Sequence, residues 1–239
     1  MNIVITMGGL GSRFRKAGYT VPKYEIEVNG KTLFDWSMLS LTAFFKEKFF
    51  FIVRKEDKAS DFIKEHCRLL GIEAEIYEID HLTQGQAETA VLIADRWKKN
   101  EGLFIYNIDT YVEAYAMKPE DISGDGFIPC FTAAGDHWSF VRLDDEGKAI
   151  EVREKKRISN HCSIGAYYFS SAALYEKIYD EFYRKNHYLE KGEQYIAPMY
   201  NYMIQQGYDV RIQDIPKEKV HVLGTPEEVE MFKDNAQRI

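Results

Sequence analysis

Cysteine is scarce: Cys67, Cys130 and Cys162 are the only three. An odd, widely spaced set builds no disulfide framework and supplies no C-x-x-C metal pair, so reduced thiols in a cytoplasm are expected. A zinc site from Cys130, His137, His161 and Cys162 is disfavoured, because the adjacent pair His161-Cys162 lacks ligand spacing. No run of about 18 or more apolar residues occurs, which excludes a membrane-spanning helix. Residues 1–14 show no basic stretch leading into an apolar one, so no secretory signal is expected. A basic excess is also missing. Lys and Arg total 31 against 38 Asp and Glu, for a formal charge of −7, which argues against a general nucleic-acid binder. Proline is rare, at 6. Repeats, low-complexity tracts and linkers are absent, so residues 1–239 are expected to form a single domain.

What is present suffices for a real core: 239 residues, 45% hydrophobic and 14% aromatic. A chain of this size buries roughly 70–75% of the surface it exposes when unfolded. Short apolar runs at Ile3–Ile5, Phe49–Val53, Ala74–Ile79 and Leu103–Ile108 read as buried strands. A half-exposed strand is expected at Ile26 and Val28. Helical spacing lies between the strands, at Thr32–Phe45, Asp57–Leu70 and Ala87–Trp97. That alternation predicts an α/β fold with a mixed, mainly parallel sheet in a three-layer α/β/α sandwich. Beyond residue 110 the pattern changes. Phe127–Thr132, Ser139–Leu143 and Ala166–Phe169 read as strands without long helices between them, with a hairpin turn at Asp144–Gly147. Helices follow at Ser170–Phe182 and Tyr195–Gln206, then a strand at Val210–Ile215. The last helix begins with Thr225 as cap, Pro226 at the first position and Glu228 closing a capping box. Residues 1–110 are thus expected to bind a nucleotide and residues 111–239 an acceptor.

The strongest local feature follows the first strand: Met7, then Gly8-Gly9-Leu10-Gly11-Ser12-Arg13. Three glycines in four positions let the backbone turn sharply and approach a ligand closely. Successive N–H groups in such a turn can cradle phosphate oxygens. Arg13, Arg15, Lys16 and Lys23 supply charge to the same loop. Two better-known glycine motifs fail here. A dinucleotide fingerprint starting at Gly9 meets Phe14 where Gly or Ala is needed. Gly30-Lys31-Thr32 ends like a P-loop, but the first glycine would fall at Glu25, so it reads as a turn and helix start.

The chain resembles the nucleotidylyltransferase family that activates sugar phosphates with an NTP. The family pattern G-G-x-G-[ST]-R-[LF] followed by P-K is matched by Gly8 to Phe14 and Pro22-Lys23. Gly85-Gln86-Ala87 resembles the G-x-A segment under the base, and Asp109 the metal-binding aspartate at a strand end. Arg153-Glu154-Lys155 resembles the acceptor-side E-K segment. Gly165 to Phe169 resembles the G-x-Y-x-F strand, and Gly224 to Glu228 the terminal G-T-P-E-[DE] turn. These landmarks keep the family's order from residue 8 to 228. The length implies a catalytic domain without further extensions, and Ala17-Gly18-Tyr19-Thr20 resembles members of surface-polysaccharide pathways. Three positions depart from the pattern. Val222 stands where the family often has a second metal-binding acid, leaving His221 and Glu154 as alternatives. Leu82 stands at the base-contacting glutamine, with Gln84 as its substitute. The acceptor segment reads E-K-K.

The resemblance implies Mg²⁺-dependent nucleotidyl transfer, with Mn²⁺ as a possible replacement, and release of pyrophosphate. Met7, Gly8, Gly9, Gly11, Ser12, Gln84 and Gly85 would hold the nucleotide. Arg13 and Lys23 would be catalytic, stabilising charge on the phosphates, and Asp109 would hold the metal. Glu154, Lys155 and Gly165 would face the acceptor, in a segment where residues 153–157 carry four basic groups against one acid. The implied partners are an NTP and a small phosphorylated acceptor, with no nucleic acid and no membrane; a homo-oligomer is compatible. Cytidylyl transfer to a non-sugar phosphate is one alternative. A glycosyltransferase is another, although Asn107-Ile108-Asp109 offers only one acid of the expected D-x-D. A nucleotide-binding regulatory protein without turnover is the third.

Overall fold

The computed structural model describes residues 1–235. The first half runs β1 (Asn2–Met7), α1 (Ser12–Lys16), β2 (Glu27–Val28), β3 (Lys31–Thr32), α2 (Leu33–Leu39), β4 (Lys48–Arg54), α3 (Ser60–Leu70), β5 (Ala74–Ile79), α4 (Gln86–Val91) and β6 (Leu103–Asn107). The second half runs β7 (Thr110–Val112), β8 (Gly126–Phe131), β9 (Ser139–Leu143), β10 (Ala149–Glu154), β11 (His161–Ser163), β12 (Ala166–Phe169), α5 (Ala172–Tyr179), α6 (Ala197–Gln205), β13 (Val210–Asp214), β14 (Val220–Val222) and α7 (Pro226–Asn235).

Ten strands form one mixed sheet in the order β10-β9-β11-β8-β12-β6-β1-β4-β5, with β13 also paired to β8. The strands β6, β1, β4 and β5 are parallel, as expected of apolar runs joined by crossover helices. β12 joins antiparallel to β6, and the second half extends the sheet from there. Alternation along β1 sends Ile3 and Ile5 to one face and Val4 to the other. On the Val4 face lie residues of α4, α5 and α6, including Ala87, Tyr175 and Met199. On the other lie α2 and α3, including Phe34, Met38, Ile63 and Cys67. The result is the expected three-layer sandwich.

A third cluster joins the two chain ends. Phe14 of α1, Trp36 of α2, Tyr111 of β7, and Val229 and Phe232 of α7 pack together. Phe14 breaks the dinucleotide fingerprint in the sequence, and here it anchors the glycine loop: it is 2% exposed. Within the expected loop 8–23, that burial secures the single helical turn α1.

Local signals explain most remaining boundaries. Gly30-Lys31-Thr32 is a hairpin turn leading to a helix start, and Thr32 with Asp35 forms a complete capping box on α2. The expected helix 32–45 is shorter, ending at Leu39 before a separate 3-10 turn. Lys58, with φ at 51°, separates another such turn from α3, which delays the expected start of that helix. α7 begins at Pro226 as expected, but its capping box is half formed. The Glu228 N–H donates to Thr225 Oγ1 at 3.2 Å, and no bond from the Thr225 N–H to the Glu228 carboxylate is present.

Candidate active site

A cleft of about 780 Å³ opens where β1, β4 and β6 end. Parallel α/β sheets bind ligands at the carboxyl ends of their strands, and this volume suits a nucleotide-sized molecule. Met7, Gly8, Gly9, Gly11, Ser12, Arg13, Lys23, Gln84, Gly85, Asp109 and Lys155 all line it. The residues expected to bind nucleotide, metal and acceptor phosphate therefore share one cavity, although they span most of the chain.

Two glycines have distinct reasons to be glycine. Gly11 has φ at 60° with open space around a would-be Cβ, so backbone conformation is the requirement there. Gly85 is a close approach: a Cβ would stand 2.6 Å from the Gln194 carbonyl oxygen. The Gln194 N–H donates to the Gln84 carbonyl at 2.9 Å, and the Ala87 N–H donates to the Gln194 carbonyl at 3.0 Å. The Gln84 and Gln194 side-chain amides are also bonded, at 2.9 Å. The segment expected under the base is thus clamped to the second half of the chain.

Lys23 follows Pro22 at the end of the glycine loop and places its ammonium on Asp109 Oδ1. Asp109 follows β6 and is held from both sides. Its N–H donates to Asn107 Oδ1 at 3.3 Å, and its carbonyl accepts from the Leu223 N–H at 2.7 Å. Gly165 keeps room for the Asn107 amide, since a Cβ would stand 2.1 Å from Asn107 Nδ2. Gly165 therefore backs the Asn107 side chain and does not line the cleft.

A lysine ammonium already occupies one carboxylate oxygen of Asp109, so this point attracts cations. Among the described residues no group of three or more His, Cys, Asp or Glu side chains gathers as a metal site. A hard ion here would take few protein oxygens and complete its shell from phosphates and water, the usual habit of Mg²⁺. The residues present fit such an ion. Neither sequence alternative for a second ligand lines the cleft with Asp109. His221 stacks on Tyr111 with ring centroids 5.3 Å apart, and burial lowers its pKa. Glu154 accepts from the Ser139 hydroxyl.

The acceptor-side segment ends β10. Lys155 has φ at 52°, a left-handed conformation few non-glycine residues adopt, and its Nζ donates to the Tyr195 hydroxyl at 2.7 Å. Desolvation lowers its pKa, but that bond and the Glu154 carboxylate 3.8 Å away outweigh it, leaving the ammonium raised. Glu154 lies behind Lys155, with its side chain 7% exposed. Burial raises its pKa against the opposing Ser139 bond and Lys155 charge. A raised carboxyl holds its proton more tightly in the folded chain than in the unfolded one. Stability then falls as pH rises from the ordinary carboxylate range to the raised value, and the ionised form is a liability above it. Melting temperatures of Glu154→Gln and wild type, measured from about pH 4 to about pH 8, should show the variant gaining relative to wild type as pH rises. A gap that is flat or shrinks would contradict that burial effect.

Sequence reasoning passed over Arg54 and Asp57, which line the same cleft. Arg54, at the end of β4, is 5% exposed and forms two bonds to Asp57, Nη2 at 2.6 Å and Nε at 3.1 Å. Arg15 Nη2 reaches the same carboxylate at 3.9 Å, linking α1 to this pair. The available signal was a charged residue directly after an apolar strand, at the sheet edge where ligands bind.

A glycine loop after the first parallel strand, the Lys23–Asp109 pair beyond β6 and the basic segment that ends β10 meet at one cleft of an α/β sandwich. No protein-family model and no curated protein sequence matches the chain. Solved structures do. It is 35% identical to the nucleoside-diphosphate-sugar pyrophosphorylase of Vibrio cholerae RC9, with a TM-score of 0.90, covering 98% of this chain and 100% of that one. The inositol-1-phosphate CTP transferase of T. maritima shares 16% identity at a TM-score of 0.78, covering 99% of this chain and 96% of that one. The CTP:phosphocholine cytidylyltransferase of Streptococcus pneumoniae shares 15% identity at a TM-score of 0.76, covering 98% of both chains. The chain belongs to the sugar-phosphate nucleotidylyltransferase-like family.

Proposed function

We propose that the chain catalyses Mg²⁺-dependent transfer of a nucleotidyl group from an NTP to the phosphate of a small metabolite, with release of pyrophosphate. The observation that carries this reading is the shared cleft, which gathers the glycine loop, Lys23, Asp109 and Lys155. An acceptor phosphate oxygen attacks the α-phosphorus in line, and the bond to the bridging oxygen of pyrophosphate breaks. Both reactants are anions, so the residues mainly position them and offset charge. Backbone N–H groups of residues 8–13 hold the nucleotide phosphates. Arg13 offsets charge on the departing pyrophosphate, and Lys23 exchanges Asp109 for a phosphate at the reacting centre. Asp109 would hold the divalent ion, which supplies Lewis-acid stabilisation to the phosphate oxygens when bound. Lys155 and Tyr195 form the acceptor wall.

A sugar 1-phosphate is the first acceptor to test, given the 35% identity to a nucleoside-diphosphate-sugar pyrophosphorylase. A non-sugar phosphate with CTP is the second reading, favoured by the E-K-K segment, Val222, and the two CTP-named structural neighbours. The product would feed assembly of a surface glycan. The experiment is a pyrophosphate-release screen of NTPs against sugar and non-sugar phosphates. Release with one acceptor class identifies the substrate. No release from any pair, with NTP still bound, would replace the enzyme by a regulatory nucleotide-binding protein. Transfer from a nucleotide sugar instead would indicate a glycosyltransferase.

Lys155→Ala should raise the acceptor KM and lower kcat while leaving NTP affinity without acceptor little changed, because it orients the attacking oxygen. Weakened NTP binding with an unchanged acceptor KM would place this segment on the nucleotide instead.

A further inference from the structure

Glu228 follows the sequence pattern of a capping residue, yet its carboxylate does something else. In α2 the equivalent acid completes its box: Asp35 Oδ2 accepts from the Thr32 N–H at 3.1 Å and from the Thr32 hydroxyl at 2.8 Å. In α7 the Glu228 N–H is bonded to Thr225 Oγ1, but Glu228 Oε2 is buried without any hydrogen-bond partner. A buried carboxylate oxygen with no partner is costly unless something else satisfies it.

Its surroundings indicate the occupant. Glu228 Oε2 lies 3.4 Å from the point a Cβ on Gly224 would take, and Asp109 Oδ2 lies 3.8 Å from the same point. Lys23 is on the other oxygen of Asp109, Oδ1, so Oδ2 is the one left facing this space. Gly224 also lines the cleft. Two acidic oxygens thus converge where a glycine leaves a gap, beside a carboxylate already shown to draw a cation. We propose that Glu228 is the second carboxylate holding the divalent ion with Asp109, in place of the acid absent at Val222. The proposal rests on the metal-dependent reading above and places the acid four residues after Gly224, where the family pattern has it two residues before.

The test uses Mn²⁺ as probe, with the full chain and a non-reacting NTP analogue, following loss of the free-ion electron paramagnetic resonance signal. Glu228→Gln is expected to weaken Mn²⁺ binding by about 10–100-fold, the scale typical of losing one supporting group at a metal site. Its melting temperature without metal should match or exceed that of wild type, because an unpaired carboxylate is removed. The rise in melting temperature on adding Mn²⁺ should shrink. Gly224→Ala provides an independent variant: its methyl would make only ordinary contacts, so the chain should fold, yet it would touch both acidic oxygens and weaken Mn²⁺ binding. Glu227→Gln, exposed in the same turn, should bind Mn²⁺ as wild type does.

A lower melting temperature in Glu228→Gln with Mn²⁺ affinity unchanged would make Glu228 a helix cap and overturn the proposal. The nucleotidyl-transfer reading would survive that result wherever wild type still releases pyrophosphate and Asp109→Asn loses Mn²⁺. Absence of Mn²⁺ binding by wild type would overturn the proposal through the metal itself, and pyrophosphate release in excess chelator would confirm that cause.

Discussion

Lys23→Ala is expected to fold normally and to lose about 10²–10³ in kcat, the usual consequence of removing one preorganised donor from a developing charge. The stability half of this expectation follows from exposure. Among the described residues Lys23 is paired only with Asp109, whose side chain is 46% exposed and can return to water when the lysine is lost. The kinetic half follows from position. Lys23 ends a loop whose start carries the glycines, with Phe14 buried between them, so its ammonium is held at the cleft before substrate arrives. Arg13→Ala should behave alike, since Arg13 is exposed on α1 and contributes no packing. Melting curves and kcat at saturating substrates check both variants. Near wild-type kcat in the two together would remove the proposed phosphate site.

Asp109→Ala is expected to remove most activity, and excess EDTA to do the same to wild type, with recovery on adding Mg²⁺ or Mn²⁺. An ion held by Asp109 would offset charge where it develops, so losing its protein anchor should cost at least as much as losing one donor, about 10² or more. The fold should tolerate the change. Asp109 is tied into the structure by its backbone, through Asn107 and Leu223, and both bonds survive loss of the carboxylate. Activity measured across a metal titration decides it. Full turnover in EDTA would dismiss the ion, and full turnover of Asp109→Ala would move the ion to another acid.

The parallel half of the sheet was legible because each strand is a short apolar run with a clear stop. Phe49–Val53 ends in Arg54, and Ile3–Ile5 leads into glycines. The short strands β7, β11 and β14 were not legible. β7 and β14 are three residues each, and they exist because Thr110–Val112 and Val220–Val222 pair across the length of the chain. No local pattern carries that information. The candidate site divides the same way. The glycine loop and Asp109 stand at strand ends, Lys23 closes that loop, and all three could be placed by order alone. The Arg54–Asp57 pair and the orientation of Glu228 depend on neighbours distant in sequence. Thr225–Glu228 and Thr32–Asp35 share one T-x-x-acid pattern, yet only Asp35 completes its box, while the Glu228 carboxylate lies near Asp109 and Gly224.

The bond from the Leu223 N–H to the Asp109 carbonyl, with the cluster that seats α7 on Phe14 and Trp36, has a consequence for biosynthesis. Chains emerge from the ribosome amino end first, and early segments can fold while later ones are still being made. Here the glycine loop, Lys23 and Asp109 emerge long before the strand and helix that close the site beside them. A nascent or prematurely stopped chain ending before Val220 would carry most of the phosphate-binding groups, but Asp109 would lack its Leu223 tie and Phe14 part of its packing.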